Sequence, residues 1–440
     1  MSDTLTYPDD WDVEQIGKLG EVKLGRQRAP RFVIGNNPKP YLRVVNISEG
    51  KLDLRDVKRM DFDGLDFHVY QLKYGDVLLT EGDLGSAFNV GRPAIYRNEI
   101  EDCCYTNTLI RFRKFDENSP SEYYHYAFEF LRRHGMFART TAATTVYHLS
   151  SGRLKKVLTP VAPPPEQKKI ARILMKLDNL IEKTQALIAK YQAIKQGMAH
   201  DLFTRGVDEH GQLRPTQKYA PDLYKQSEFG WIPKDWDEEP IEEVFEIQLG
   251  KMLSKKSKTG KNSFPYLANR NVQWGYFDLT ALPEMDFSEA EKQKFSVKKG
   301  DLLVCEGGVV GRTAMWREEE SDIFYQKALH RLRPKNERVL PELMLHFMPY
   351  AACIGLFSEF TSQSSIAHLT REKLAIIPML VPPEDEQPLI VGRLDSIDEQ
   401  INCERRTLQK RLALKSGLMQ DLLTGKVRVK VDKAEEVEHA

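Results

Sequence analysis

Cysteine is scarce in this 440-residue sequence: Cys103, Cys104, Cys305, Cys353 and Cys403 are all there is. The number is odd and no Cys-x-x-Cys pair occurs, which argues against a disulfide framework or a zinc knuckle. Reduced, mostly buried thiols are expected. No run of 18 apolar residues is present, and mean hydropathy is −0.49, so no membrane span is expected. The opening Met1-Ser2-Asp3-Thr4 lacks the basic, apolar and small-residue order of a secretion signal, so a cytoplasmic protein is the expectation. Charge of one sign is missing too: 64 Lys plus Arg stand against 64 Asp plus Glu, and the net charge is zero. As a mean, that argues against a nucleic-acid binder, but a mean hides segregation along the chain. A hydrophobic share of 41% can fill real cores, which argues against global disorder.

Catalytic motifs are missing as well. Thr259-Gly260-Lys261-Asn262-Ser263 resembles a phosphate loop, but Lys255 stands where the motif needs glycine and Asn262 follows the lysine. No G-x-G-x-x-G lies between a strand and a helix, and the ten histidines include no H-E-x-x-H. Pro163-Pro164-Pro165-Glu166 and Pro382-Pro383-Glu384 lack the flanks of an amino-methyltransferase motif. Asp76 with Glu81, and Asp301 with Glu306, have the look of a metal-nuclease carboxylate pair. The lysine expected two residues on is Asp83 in one case and Gly308 in the other, so a turn-and-strand role is expected. The chain is therefore not expected to be an enzyme or to bind a metal.

What is present is a duplication. At a shift of 225, Trp11-Asp12 returns as Trp236-Asp237, Leu24-Gly25 as Leu249-Gly250, and Pro40-Tyr41-Leu42 as Pro265-Tyr266-Leu267. Asn46 returns as Asn271, Gly50 as Gly275, Met60-Asp61-Phe62 as Met285-Asp286-Phe287, and Gly75-Asp76 as Gly300-Asp301. The shift then becomes 220: Gly91-Arg92 matches Gly311-Arg312, Arg111 and Arg113 match Arg331 and Arg333, and His148-Leu149 matches His368-Leu369. The change of five falls in one loop, between Gly82 and Gly91 against Gly307 and Gly311. Two copies of one module replace the three domains that length alone suggests.

Each copy begins with about 150 residues of mixed character. Asp76–Thr80 and Asp301–Cys305 read as buried strands, and Ser121–Phe137 and Pro341–Phe357 as helices. A proline group followed by Glu166-Gln167 or Glu386-Gln387 then opens a long helix. Apolar residues recur every seventh position from Ile170 through Leu177, Tyr191 and Met198, with Thr184 the one polar residue in that row. Copy two has Ile390, Leu394, Ile397, Ile401, Leu408, Leu412, Leu418 and Leu422. Each helix runs about 39 residues, about 58 Å at 1.5 Å per residue. Two such helices are expected to pair, in preference to each packing on its own globular part. The segment Arg205–Trp236 reads as a linker and the tail from Lys426 as frayed.

Charge is sorted along the chain. Residues 22–48 hold no acid but Lys23, Arg26, Arg28, Arg31, Lys39 and Arg43. Residues 247–277, at the same place in copy two, hold no acid but Lys251, Lys255, Lys256, Lys258, Lys261 and Arg270. Residues 130–165 are a third acid-free stretch, with Arg139 among its cations, whereas seven acids crowd Asp235–Glu246. Basic, Asn-containing loops suit phosphate contacts and base-edge readout. Asn46 and Asn269 to Asn271 are candidates for adenine, Arg43 and Arg270 for guanine. Arg92, Arg312 and Gln363 complete the candidate DNA-binding set.

This layout resembles the specificity (S) subunit of type I restriction–modification enzymes. The likeness rests on two variable halves, each followed by a similar long helix that opens with Pro-Pro-x-x-x-Gln or Pro-Pro-Glu-Gln and closes in Asp-Leu-Leu-Thr-Gly. Trp-Ile-Pro-x-x-Trp at Trp231, Gly-Asp-Leu-Leu at Gly300 and Gly-Arg-x-Ala at Gly91 and Gly311 add to it. Copy one departs slightly, ending Asp201-Leu202-Phe203-Thr204-Arg205 and opening with a shortened Tyr7-Pro8-Asp9-Asp10-Trp11. The resemblance implies an α+β fold with two mixed target recognition domains separated by an antiparallel coiled coil, related by a pseudo-twofold axis. The expected division is recognition domain 1 at 1–160, helical spacer 1 at 161–206, recognition domain 2 with its entry linker at 207–379, spacer 2 at 380–426 and a tail at 427–440. It further implies a non-catalytic subunit that reads a split, asymmetric site in double-stranded DNA, one half-site per domain, with the coil setting the spacer. Implied partners are two methylation (M) subunits carrying S-adenosylmethionine and restriction (R) subunits using ATP and Mg, with no cofactor on this chain. A self-contained methyltransferase or nuclease, and a coiled-coil scaffold without DNA binding, are the competing readings.

Overall fold

The computed structural model describes residues 7–29, 35–83, 89–140, 142–143, 147–254, 257, 259–318, 322–360 and 368–431. The chain forms two compact units, residues 1–185 with 406–440, and residues 186–405. These limits cut across the expected domain boundaries, because each long helix divides between the units.

The two units repeat one topology. In the first, a four-stranded antiparallel sheet has the order Gly20–Leu24, Leu109–Lys114, Val77–Thr80, Pro93–Ile95. In the second the order is Phe245–Leu249, Leu329–Pro334, Leu302–Cys305, Thr313–Met315. A three-stranded sheet accompanies each. Pro38–Leu42 pairs parallel with Cys104–Tyr105 and antiparallel with Lys58–Asp61, and Ser263–Leu267 pairs likewise with Phe324–Tyr325 and Glu284–Asp286. Even register is kept: Asp12 faces Val161 as Asp237 faces Val381.

The apolar runs noted in the sequence are strands buried on both faces. Val77 and Leu79 enter the core that holds Phe112, Tyr124 and Phe128, while Leu78 enters a second core with Leu42 and Tyr105. In the other unit Leu302 and Val304 divide from Leu303 and Cys305 in the same way. Strand alternation sends successive side chains to opposite faces, so a strand between two cores is continuously apolar. Each such side chain stabilises the fold by about 1.5–3 kcal/mol.

The expected helices are present but stop early. They span Ser121–Arg133 and Pro341–Cys353, and Gly135 and Gly355 follow at φ 70 and φ 80. Gly91 and Gly311 are needed twice over. Both sit at φ 77, and a Cβ would meet Phe137 at 2.4 Å or Phe357 at 2.2 Å.

The long helices span Pro164–Arg205 and Gln387–Leu423. Within each unit the helix segments pair antiparallel, as expected. In the first, Lys415 Nζ lies 2.5 Å from Asp178 and Arg411 donates to Thr184. In the second, Lys195 Nζ lies 2.6 Å from Asp398, while Leu202 and Phe203 share a core with Ile390 and Leu394. The 220-residue shift carries Asp178 to Asp398 and Lys195 to Lys415, so one ion pair occurs twice. The seam is best buried at Ile170, Leu174, Leu177, Ile181, Ile390, Leu394, Ile397 and Ile401. Leu412, read as a seam residue, is exposed.

Two further readings are corrected. The segment read as a linker contains a hairpin, Tyr224–Ser227 with Gly230–Pro233, and buries Val207, Ile232 and Trp236 in the core. Polar groups of the segment converge on the buried carboxylate of Glu386, which stands just before the second long helix. That carboxylate accepts from Val207 N at 2.6 Å, Trp236 Nε1 at 2.9 Å and both Arg214 terminal nitrogens at 2.7 and 2.9 Å. The tail read as frayed from Lys426 is ordered at Arg428, which donates to Glu166 at 3.0 Å and to Asp10 at 2.7 and 2.8 Å. Residues 432–440 lie outside the described ones. Cys103, Cys104 and Cys305 are buried free thiols, whereas Cys353 and Cys403 are exposed. Burial pushes the first two thiols up to about 12.

Candidate nucleic-acid interface

The acid-free loops follow the edge strands Gly20–Leu24 and Phe245–Leu249. Their first cation is structural in both units. Arg26 is buried, forms an ion pair with Asp66, donates to the Asp61 carbonyl and lies 4.8 Å over the Phe62 ring. At the 225-residue shift, Lys251 pairs with Glu291 at 2.6 Å, donates to the Asp286 carbonyl at 2.6 Å and lies 4.8 Å over Phe287. This cage of cation, acid and aromatic ring closes the loop against the three-stranded sheet.

The sequence that resembled a phosphate loop does bind an anion, but it is the protein's own. Thr259 N, Gly260 N and Asn262 N donate to the Asp286 carboxylate at 2.6, 3.1 and 3.0 Å, and the Thr259 hydroxyl at 2.7 Å. Those donors hold the carboxyl below its ordinary range, the hydroxyl contributing most. In the other unit Asn37 N donates to Asp61 at 2.7 Å, the same bond at the same shift.

After the next strand, each unit makes a three-residue helical turn, Val44–Asn46 and Asn269–Asn271. Asn46 is 1% exposed; its Oδ1 accepts from Arg43 N at 3.0 Å and its Nδ2 donates to the carbonyls of Asp53 at 2.8 Å and Asp56 at 3.1 Å. Asn271 is 2% exposed; its Oδ1 accepts from Ala268 N at 3.0 Å and its Nδ2 donates to Asp278 at 2.8 Å and Ala281 at 3.1 Å. Both amides are committed to holding the turn, so the expectation that Asn46 and Asn271 read adenine is corrected. Asn269 is half-buried and similarly committed: its Nδ2 donates to Gly307 O at 2.8 Å and its Oδ1 accepts from Arg312 at 2.9 Å. Arg312 also donates to the Asn269 carbonyl at 2.8 Å, which makes it a brace of the turn rather than an outward-reaching cation. Arg43 is bound to the Asp56 carboxylate and its carbonyl.

Other candidates are surface residues. Arg270, Arg28, Arg139 and Lys261 are exposed, with Arg28 lying 5.8 Å over the Tyr41 ring and Arg139 donating to the Met136 sulfur at 3.8 Å. Arg92 is half-buried beside the Glu49–Leu54 loop. Arg31, Lys255, Lys256, Lys258 and Gln363 lie outside the described residues.

The carboxylates with a nuclease look take the expected turn-and-strand role. Arg113 grips Asp76 through two bonds of 2.7 Å, and Arg333 grips Asp301 through two bonds of 2.7 Å. The aspartate keeps the Arg333 guanidinium above its ordinary value. Glu81 meets His148 Nδ1 at 3.0 Å.

Sequence reasoning missed the cages, the grips and the carboxylate hubs Glu166 and Glu386. The signal was available, since every one of these residues except the Lys251 cation recurs as the same residue, or as its acidic counterpart, at the repeat shift. Residues shared by both copies proved to be frame.

Comparison with known proteins agrees with this duplicated frame. The family model of the type I restriction modification DNA specificity domain matches residues 8–191 and again residues 233–413. The MjaVIII specificity subunit of Methanocaldococcus jannaschii is 25% identical over 437 residues, covering 97% of this chain and 95% of that one. The EcoBI specificity subunit of Escherichia coli is 25% identical over 296 residues, 64% of this chain and 60% of its own length. The S subunit of a type I restriction–modification system from M. genitalium shares the fold, with a TM-score of 0.54 at 15% identity over 96% of this chain and 97% of that one. With both copies matched by the same specificity-domain model, the chain belongs to the type I restriction–modification specificity-subunit family.

Proposed function

We propose that this chain is the DNA-reading, non-catalytic subunit of a type I restriction–modification complex. Each unit reads one half of an asymmetric bipartite site in double-stranded DNA, and the paired long helices set the spacer. Two M subunits supply S-adenosylmethionine and methyl transfer, and R subunits supply ATP- and Mg-dependent cleavage. The observation that carries this reading is the repetition of one frame, with the same cage, aspartate grip and asparagine-closed turn in each unit and different exposed residues mounted on the turn. A shared frame with divergent surfaces is what reading two different half-sites requires. A self-contained methyltransferase or nuclease fits poorly, because Asp76 and Asp301, one carboxylate of each candidate pair, are held by arginine.

The test uses the full chain with its M partner and a duplex carrying the methylated site found by genome-wide mapping of methyladenine. Replacing Lys255, Lys256 and Lys258 by alanine together is expected to weaken binding broadly and flatten the dependence of log affinity on log salt by up to about three phosphate contacts. An unchanged slope removes that loop from the interface, and salt-insensitive affinity of the parent complex overturns the reading.

A further inference from the structure

The two helical turns are superimposable in their bonding and different in what they present. Asn46 and Asn271 close them with bonds that agree within 0.1 Å or less, two to carbonyls and one from a backbone N–H. The backbone closures agree as well: Asn46 N to Arg43 O is 2.8 Å and Asn271 N to Ala268 O is 2.9 Å, and each asparagine carbonyl accepts from Asp53 N at 2.8 Å or Asp278 N at 2.7 Å. Between these fixed points the first two residues change completely, from Val44-Val45 to Asn269-Arg270. The second of each pair projects outward. Val45 is 57% exposed, and Arg270 is exposed. The first is half-buried in both. The place where the copies differ in loop length adjoins the turn, since Asn269 donates to Gly307, the residue that begins the shorter loop. The copies thus mount different residues on an outward-facing turn that the same asparagine bonds close, inside the acid-free loop.

On the reading that each unit recognises one half-site, we propose that these turns are reading heads and that Val45 and Arg270 are specificity-determining residues for the two half-sites. A branched apolar side chain on a rigid turn suits contact with a thymine methyl. A guanidinium in the same place suits O6 and N7 of guanine. The buried asparagine fixes the turn so that a base contact does not have to order it. The 3-10 turn is short enough to enter a major groove about 12 Å wide.

The experiment expresses the full chain with its M subunits in a host lacking adenine methylation and maps methyladenine across the genome. The double variant V44N/V45R gives the first unit the turn of the second. The expected result is a changed base preference at one or two positions of the first half-site, with the second half-site and the spacer unchanged. R270A, which removes one exposed side chain, is expected to relax one position of the second half-site on the order of tenfold or more, leaving the first intact. If V44N/V45R gives no methylation, R270A decides. Parental half-sites in both variants, or R270A with an unchanged second half-site, overturn the proposal. Failure of the unmodified complex to methylate or bind any bipartite site instead overturns the reading on which the proposal rests.

Discussion

Asp301→Ala is expected to destabilise the second unit by about 2–4 kcal/mol. The Asp301 side chain is 1% exposed and accepts three bonds, two from Arg333 and one from Lys298 N, each 2.7 Å long. Removing one partner of a buried pair typically costs about 3–5 kcal/mol, because the other charge is left desolvated. Arg333 is 27% exposed, so water recovers part of that cost, and the lower figure follows. Urea unfolding followed by tryptophan fluorescence isolates the effect. Four of the five tryptophans, Trp231, Trp236, Trp274 and Trp316, belong to the second unit, and only Trp11 to the first. The fluorescence midpoint falls while the slope stays constant. Asp76→Ala has the same exposures, 1% and 27%, and the same 2.7 Å bonds, so it shifts a transition of the first unit by a matching amount, seen in far-UV circular dichroism rather than in fluorescence. A loss under about 1 kcal/mol for Asp301→Ala would refute the view that this pair holds the central strand to the sheet.

Three further outcomes follow from the structure. His125 is pushed down to about 4, mainly by burial and by Lys415, against weaker opposing pulls from Glu129 and Asp178. Its folded pKa lies below its unfolded value, so its neutral form supports the first unit above about pH 6.5, and stability falls by up to about 3 kcal/mol as pH drops toward 4; His125→Phe is expected to flatten that slope in denaturant titrations, and an unchanged slope contradicts the assignment. Asn271→Asp replaces two donors with a carboxylate facing the carbonyls of Asp278 and Ala281, so the loop is expected to open locally by about 1–3 kcal/mol, read by hydrogen exchange at Ala268–Asp278. Inserting one heptad in each long helix is expected to change the spacer of the methylated site and neither half-site; altered half-sites with an unchanged spacer contradict the ruler role.

Much of this architecture was legible because duplication writes the same constraint twice. Gly91 and Gly311, Asp76 and Asp301, and Asp178 and Asp398 recur at fixed shifts, and each meets the same kind of neighbour in its own unit. The alternation within Val77–Thr80 was hidden by burial on both faces, which makes a strand look uniformly apolar. The hairpin at Tyr224–Pro233 was hidden because proline and scattered charge look like a linker until Trp236 is seen against Glu386. The recognition residues were the least legible. Recurrence drew attention to Asn46 and Asn271, yet recurrence marks what both units need in common, and two different half-sites need something different.

The sequence by itself determined the duplicated module, the heptad helices, the absence of a recognisable catalytic motif and the segregation of charge, because these depend on residue order and local periodicity. Only the tertiary structure decided which polar residues are frame and which are presented. Asn46, Arg26 and Arg312 look as available in sequence as Arg270 does. Arg26 and Arg312 are committed by groups far along the chain, Asp66 and Asn269, whose proximity spacing does not reveal, and Asn46 by the way its own segment folds back to bring Arg43, Asp53 and Asp56 around it.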